Sequence, residues 1–292
     1  MKPPLFDYVR AETVDEAVAA RAAHEYSAVL AGGQSLLPTL NFRLARPDAL
    51  IDIGRIKALQ GTAIDGDEIV IRAMARQREV EHDEAIFAAN PLIRETLGNV
   101  AHAVIRNRGT VVGSIAHADA SAELPALLLA TGGAVIARGP KGERRIEANA
   151  FFKFHMTTSL AADEIAVAVC IPRLPPGTGY AFLEFARRHG DYALAGVCAL
   201  LTMGAGGRVA SARLAACGIG SRAVRLVAAE AALNGQKPDA ASFAAAAKAA
   251  RDAVTASDDR QASIAFRKHL LEHIVGRALG MAHGRAGKPF AS

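Results

Sequence analysis

The chain of 292 residues has no tryptophan, only four tyrosines and three cysteines. It also lacks any apolar run near the roughly 20 residues that a bilayer span requires, since Leu124–Ala130 and Leu194–Met203 are far shorter. No membrane span is expected. Cys170, Cys198 and Cys217 are odd in number, widely separated and set among Val, Ala and Leu, so they read as buried free thiols. Iron–sulfur clusters and structural zinc use close cysteine pairs, and none is present. Any one-electron centre that works with this protein must therefore sit on another chain. The basic excess is small, 34 Lys+Arg against 29 Asp+Glu for a net charge of +5, and it is scattered, with few aromatics between. That argues against a nucleic-acid surface. Met1–Arg10 has neither a cationic leader with an apolar core nor an Arg-rich, acid-poor pattern, so a cytoplasmic protein is expected.

What is present is a mixed pattern of helices and strands. Thr13 and Glu16 fit a capping box, and Val14, Ala17, Val18 and Arg21 follow at helical spacing to about His24. A short strand, Ala28–Ala31, then runs into Gly32-Gly33-Gln34-Ser35, and Leu36–Leu44 reads as a helix with Pro38 in its first turn. Further strands are predicted at Ala49–Ile53, Glu68–Ala73, Ala134–Arg138, Arg144–Ala148 and Glu164–Ile171. Helices are predicted over Ile86–His102, broken at Pro91, and Ala122–Ala130. The Pro/Gly cluster Pro172–Gly177 is the natural boundary, dividing the chain into 1–176 and 177–292. Beyond it three strands, Tyr180–Arg187, Leu194–Met203 and Arg208–Cys217, precede three Ala-rich helices over Arg222–Leu233, Ala240–Ala256 and Ala262–Ala282. The last two strands form a hairpin across Gly204–Gly207.

A strand that ends in paired glycines and opens a helix through Ser35 presents backbone N–H groups to an anion. A second Gly-containing polar loop, Arg106 to Ser114, could hold the other phosphate of a two-phosphate ligand. Neither loop matches the dinucleotide or Walker fingerprints. The pattern His269-x-x-Glu272-His273 fits an inverted zinc-peptidase motif, but no Asp or Glu follows Glu272 to complete a metal site, so an amphipathic helix is the expected reading.

Three stretches, Ala31-Gly32-Gly33-Gln34-Ser35-Leu36, Ile105–Thr110 through Gly113-Ser114 and Ala116–Asp119, and Gly190-Asp191-Tyr192-Ala193, occur in the order found in the FAD-binding medium subunit of molybdenum hydroxylases. The chain resembles that family over nearly its full length. The closing segment Phe266–Leu270 through Arg277–Leu279 is similar too. The resemblance implies an α+β fold: a two-part, PCMH-type FAD-binding domain followed by a three-stranded antiparallel sheet with a three-helix bundle. It implies cofactor contacts from Ala31, Gly32, Gly33, Gln34, Ser35, Leu36, Thr110, Val111, Gly113, Ser114, His117, Glu123 and Ile165, with Tyr192 over the flavin ring and no metal on this chain. It further implies a large molybdenum–pterin subunit and a small subunit with two-iron two-sulfur clusters, assembled as a dimer of heterotrimers. FAD here would collect electrons and pass them to NAD, a quinone or oxygen. A free-standing FAD oxidoreductase or flavin-binding module is the alternative. Where the family pattern has two adjacent glycines this chain has Val112-Gly113, and a β-branched residue resists positive φ, so the loop is expected to bend differently. Gln34 stands where His is frequent, and Leu183-Glu184 where a lysine is often found.

Overall fold

The computed structural model describes residues 2–290. The first unit is built from β1 (Asp7–Arg10), α1 (Val14–Ala23), β2 (Ser27–Leu30), α2 (Leu36–Asn41) and β3 (Ala49–Asp52). Its three strands are parallel, in the order β1-β3-β2. Buried β3 lies centrally because it carries the most apolar run, Ala49-Leu50-Ile51. Thr13 caps α1 as predicted, accepting from the Glu16 N–H at 3.1 Å, but Glu16 reaches back one residue further, to the Glu12 N–H. Helix α2 ends three residues before Leu44, where Arg43 turns to φ +58°.

The second unit is an antiparallel sheet wrapped around helices. In chain order it comprises β4 (Thr62–Asp65), β5 (Glu68–Arg72), α3 (Gln77–Glu81), α4 (Glu84–Ala89), α5 (Pro91–Leu97), α6 (Ala103–Arg106), α7 (Val111–His117), α8 (Glu123–Thr131), β6 (Ala134–Gly139), β7 (Gly142–Glu147), α9 (Ala148–Phe151), β8 (Phe152–Phe154), β9 (Thr157–Thr158) and β10 (Ile165–Pro172). Strand order is β4-β5-β10-β6-β7. The predicted helix over residues 86–102 ends instead at Leu97, with Pro91 starting a fresh helix at a position where its missing N–H costs nothing. Strand β10 is apolar almost throughout because strands flank it on both edges and both its faces are covered.

The third unit contains β11 (Gly179–Phe185), β12 (Ala195–Met203), β13 (Val209–Cys217), β14 (Val224–Arg225), α10 (Val227–Leu233), α11 (Ala240–Ala253) and α12 (Ile264–Arg285). Its sheet has four strands, not the expected three: Val224-Arg225, predicted as the start of a helix, adds to the edge of β13. The two-residue side-chain period divides β12 between two cores. Cys198 and Leu200 join the core shared with the first two units, whereas Val197, Ala199 and Leu201 pack under the three helices. All three cysteines are buried and free.

Polar contacts lock the third unit to the second. Arg213 of β13 donates to the carbonyls of Leu129 and Ala130 at the α8 C-terminus, where a cation offsets unpaired acceptors. The Gly218 N–H donates to the Ala120 carbonyl, and Glu95 accepts from the Phe182 N–H and from Arg285. The two sides of any cleft between them are therefore held in register.

Candidate functional site

A cavity of about 470 Å³ opens where the three units meet. This is ample for a small organic ligand. One wall is the turn after β2. At Gly33 the backbone has φ +74°, a conformation that glycine adopts at no steric cost. At Gly32 a Cβ would lie 2.5 Å from the Arg108 carbonyl oxygen and 2.9 Å from the Gly109 Cα, so the two glycine loops touch backbone to backbone. The backbone N–H groups of Gly32, Gly33, Gln34, Ser35 and Leu36 find no acceptor among the described residues, although all five residues line the cavity. A row of open donors is what an anionic ligand needs.

The adjoining wall is the Arg106–Thr110 turn and α7. Thr110 caps that helix by accepting from the Gly113 N–H at 3.0 Å. Gly113 and Ser114 therefore belong to a helix, not to the loop expected from the sequence. Val112 sits in the same helical turn and takes no positive φ, which removes the expected change of bend. A glycine at 113 is still required, because a Cβ there would meet Thr110 Oγ1 at 2.6 Å. Beneath the turn, buried Arg106 forms a two-point ion pair with Glu81 of α3 at 2.9 and 3.0 Å and donates to the carbonyls of Val100 and Ala101.

Of the residues singled out from the sequence, all but Val111 line this cavity. Val111 is turned into the core, and Val112 lines the wall in its place. His117 is pushed below the usual histidine range by burial, which outweighs the opposing pull of Asp119. Glu123, the first residue of α8, is 4 % exposed. Burial, reinforced by Glu184 and Asp119, pushes its carboxyl up to about 8. Ile165 contributes the start of β10. Tyr192 stands on a turn whose Gly190 has φ +86° and packs so closely on Ala101 and His102 that a Cβ would lie 2.6 Å from the His102 ring. The residue is half-exposed, yet desolvation together with Asp119 and Glu123 pushes its hydroxyl up to about 12, against an opposing hydrogen bond with Ser35.

Sequence reasoning missed Arg21, Gln77, Gly109, Leu160 and Glu164, which also line the cavity. Gly109 was visible within the loop motif. The others come from α1, α3 and the connection between β9 and β10, and carried no local signal. Arg21 is the one arginine or lysine among the described lining residues, its guanidinium held against Ser27. The zinc reading finds no support: His269 and His273 are exposed on α12, while Glu272 pairs with Arg251 at 2.7 Å. Among the described residues no group of three His, Cys, Asp or Glu is arranged to hold a metal ion.

Comparison with known proteins agrees with this geometry. Residues 4–174 match the family described as the FAD binding domain in molybdopterin dehydrogenase, and residues 180–282 match the CO dehydrogenase flavoprotein C-terminal domain. The 6-hydroxypseudooxynicotine dehydrogenase complex subunit alpha of Paenarthrobacter nicotinovorans is 39 % identical, over 98 % of this chain and 97 % of that one. The carbon monoxide dehydrogenase medium chain of Hydrogenophaga pseudoflava is 34 % identical, over 98 % and 99 % respectively. Among solved structures, carbon monoxide dehydrogenase from the same organism superposes with a TM-score of 0.95 at 35 % identity, covering 98 % of this chain and 100 % of that one. Quinoline 2-oxidoreductase from Pseudomonas putida 86 gives 0.92, also at 35 % identity, covering 98 % and 99 %. Two family matches in chain order, relatives that align end to end and a shared fold lead to one conclusion: the chain belongs to the FAD-binding medium subunits of the molybdenum hydroxylases.

Proposed function

We propose that the cavity holds one FAD, with its pyrophosphate on the open N–H groups of residues 32–36 and against the Thr110–Ser114 turn, and that Tyr192 closes over the ring system. The observation that carries this reading is the row of five unbonded N–H groups, beside a second glycine turn, that line a cavity of about 470 Å³. The open N–H groups belong to the first turn, and the second adds the Ser114 hydroxyl, since the N–H groups of Arg108, Gly109, Val111, Gly113 and Ser114 are already bonded. The donor set fits FAD: amide donors and the Ser35 and Ser114 hydroxyls for phosphate oxygens, and Val112, Ile105 and Ile165 for flat apolar surface. When bound, FAD supplies a store that accepts and releases electrons singly or in pairs. The chain's own part is to orient that store, shield it from water and set the charge around it.

In this reading residues 1–176 form the FAD-binding domain and residues 177–292 brace it. Substrate oxidation belongs to a molybdenum–pterin centre on a large subunit, and electrons arrive through two-iron two-sulfur clusters on a small subunit, in a dimer of heterotrimers. This chain passes them on to NAD, a quinone or oxygen in the cytoplasm. The absence of close cysteine pairs supports the division of labour, since no cluster can be built on this chain alone. The purified chain is expected to carry about one non-covalent FAD. Release and chromatographic identification of the cofactor tests this; FMN alone, or no flavin after reconstitution, refutes it.

Tyr192→Ala is expected to keep most of its FAD, because aromatic stacking contributes only about 0.5–1.5 kcal/mol beyond burial. Reoxidation by external acceptors should change several-fold once the ring is uncovered. Stopped-flow reoxidation of wild type and variant measures this, and equal rates with every acceptor would leave Tyr192 as a turn residue only.

A further inference from the structure

Two carboxyls outside the phosphate loops stand unpaired, Glu123 on the cavity wall and Glu184 off it. Glu123 is 4 % exposed and lines the cavity, and no side chain among the described residues is hydrogen-bonded to its carboxyl. Glu184, on β11, pairs in register with Gly196, where a Cβ would lie 3.4 Å from the Glu184 Cβ and 2.7 Å from Cys217 Sγ. Its Oε2 is buried and has no hydrogen-bond partner, although the residue as a whole is partly exposed. Burial first, then the two carboxyls, raise the Cys217 thiol, and Cys217 Sγ and Glu184 Cβ both pack against Gly196.

The groups coupled to Glu123 are Glu184 on β11, Asp119 before α8, Tyr192 on the turn before β12, Cys198 on β12 and Cys217 on β13, and His117 of α7 lines the same cavity. No arginine or lysine among the described residues pairs with either glutamate. A carboxylate withdrawn from water without a cation or a full set of donors is disfavoured, and two neighbouring ones more so. Burial accordingly pushes Glu184 up to about 7, while burial and the charge of Glu184 push Glu123 up to about 8.

We propose that Glu123 and Glu184 are the proton-exchanging pair of this cavity, Glu123 binding a proton when reduction brings negative charge into the cleft and Glu184 relaying it from solvent. The proposal rests on the reading that the cavity holds FAD. Two electrons from an iron–sulfur donor, with one proton, leave the cleft one unit more negative. Where Glu123 is ionised beforehand, its carboxylate then takes a second proton from solvent and forms one O–H bond. The cleft gains two electrons and two protons, with no change in net charge. Below about pH 8 Glu123 already carries its proton, so the extra uptake is confined to higher pH.

Potentiometric titration of the FAD-loaded protein tests this, because each proton taken up with an electron pair adds about 30 mV per pH unit to the slope of the midpoint potential. Wild type should pass from a one-proton to a two-proton slope above about pH 8, and Glu123→Gln should hold the one-proton slope throughout. In Glu184→Gln, which does not line the cavity, the onset should move to lower pH because a like charge no longer raises Glu123. Infrared titration of the flavin-free chain gives a readout independent of turnover. The band of protonated carboxyl should fade between pH 7 and 9 in wild type, and in Glu123→Gln the part that fades near pH 8 should be missing while the Glu184 part near pH 7 remains. Equal slopes in wild type and Glu123→Gln, an unmoved onset in Glu184→Gln, or no such band would each overturn the proposal while the FAD reading stands. Loss of FAD from Glu123→Gln alone leaves the decision to Glu184→Gln. A wild-type chain that takes up no FAD overturns both readings together.

Discussion

A Gly33→Val chain is expected to fold and to hold no FAD. The backbone there has φ +74°, and a Cβ would lie 3.1 Å from Leu37 Cδ1 and 3.3 Å from Leu30 Cδ1. Forcing an L side chain into that left-handed conformation costs about 1–2 kcal/mol, small against a typical folding free energy of about 5–15 kcal/mol. The turn relieves the strain by rotating, which takes the N–H groups of residues 32–36 out of line. Losing two hydrogen bonds to a charged phosphate at about 1.5–3 kcal/mol each amounts to a fall in affinity of about two to four orders of magnitude. Gly32→Ala is the companion: its Cβ cannot coexist with the Arg108 carbonyl at 2.5 Å, so the loops must separate and the thermal midpoint should fall as well. Flavin content after gel filtration and the thermal midpoint of the flavin-free chain measure both effects. A Gly33→Val protein that keeps stoichiometric FAD would show the turn to be structural only.

Glu81→Ala is expected to destabilise the chain by about 3–5 kcal/mol, because it leaves the buried Arg106 guanidinium without its counter-ion. It should also loosen the Arg106–Thr110 turn and with it FAD binding. Burial alone would raise the Glu81 carboxyl, but hydrogen bonds from Arg106, helped by its charge and those of Arg78 and His82, hold it below the usual range. The sign of the pH dependence follows. A carboxyl lowered in the folded state contributes its full stabilisation above its unfolded value, near 4.5, and loses it as the pH falls through the lower folded value. Denaturant unfolding at pH 7 and near pH 3.5 should thus find the gap between wild type and Glu81→Gln narrowing in acid. A gap independent of pH would mean that packing, not charge, holds the turn.

Much of the fold could be read locally. Helix α8 and strand β12 announce themselves by continuous apolar runs, and Pro91 by starting a helix at its own position. Other elements carry no such signal. β1, Asp-Tyr-Val-Arg, is mostly exposed and becomes a strand only because β3 offers it an edge. β14 is two residues long, and α6 is a single turn. The Thr110–His117 segment read as loop because its threonine, glycine and serine are turn residues, yet Thr110 acts there as a helix cap. Glu81 and Arg106 lie 25 residues apart, so nothing in either neighbourhood marks them as partners.

The sequence by itself determined the two glycine turns, the capped helices and the lack of close cysteine pairs on which a cluster could be built. Each depends on residues within a few positions of one another, or on what is absent altogether. Tertiary structure alone decided that the Gly32 turn touches Arg108 and Gly109, that Val112 and not Val111 faces the cavity, that β12 is divided between two cores, and that Glu123 is buried and Glu184 Oε2 left without a partner. These depend on which surfaces exclude water from one another. Burial, which sets both close backbone approach and the charge state of a carboxyl, belongs to the packed molecule and not to any stretch of its chain.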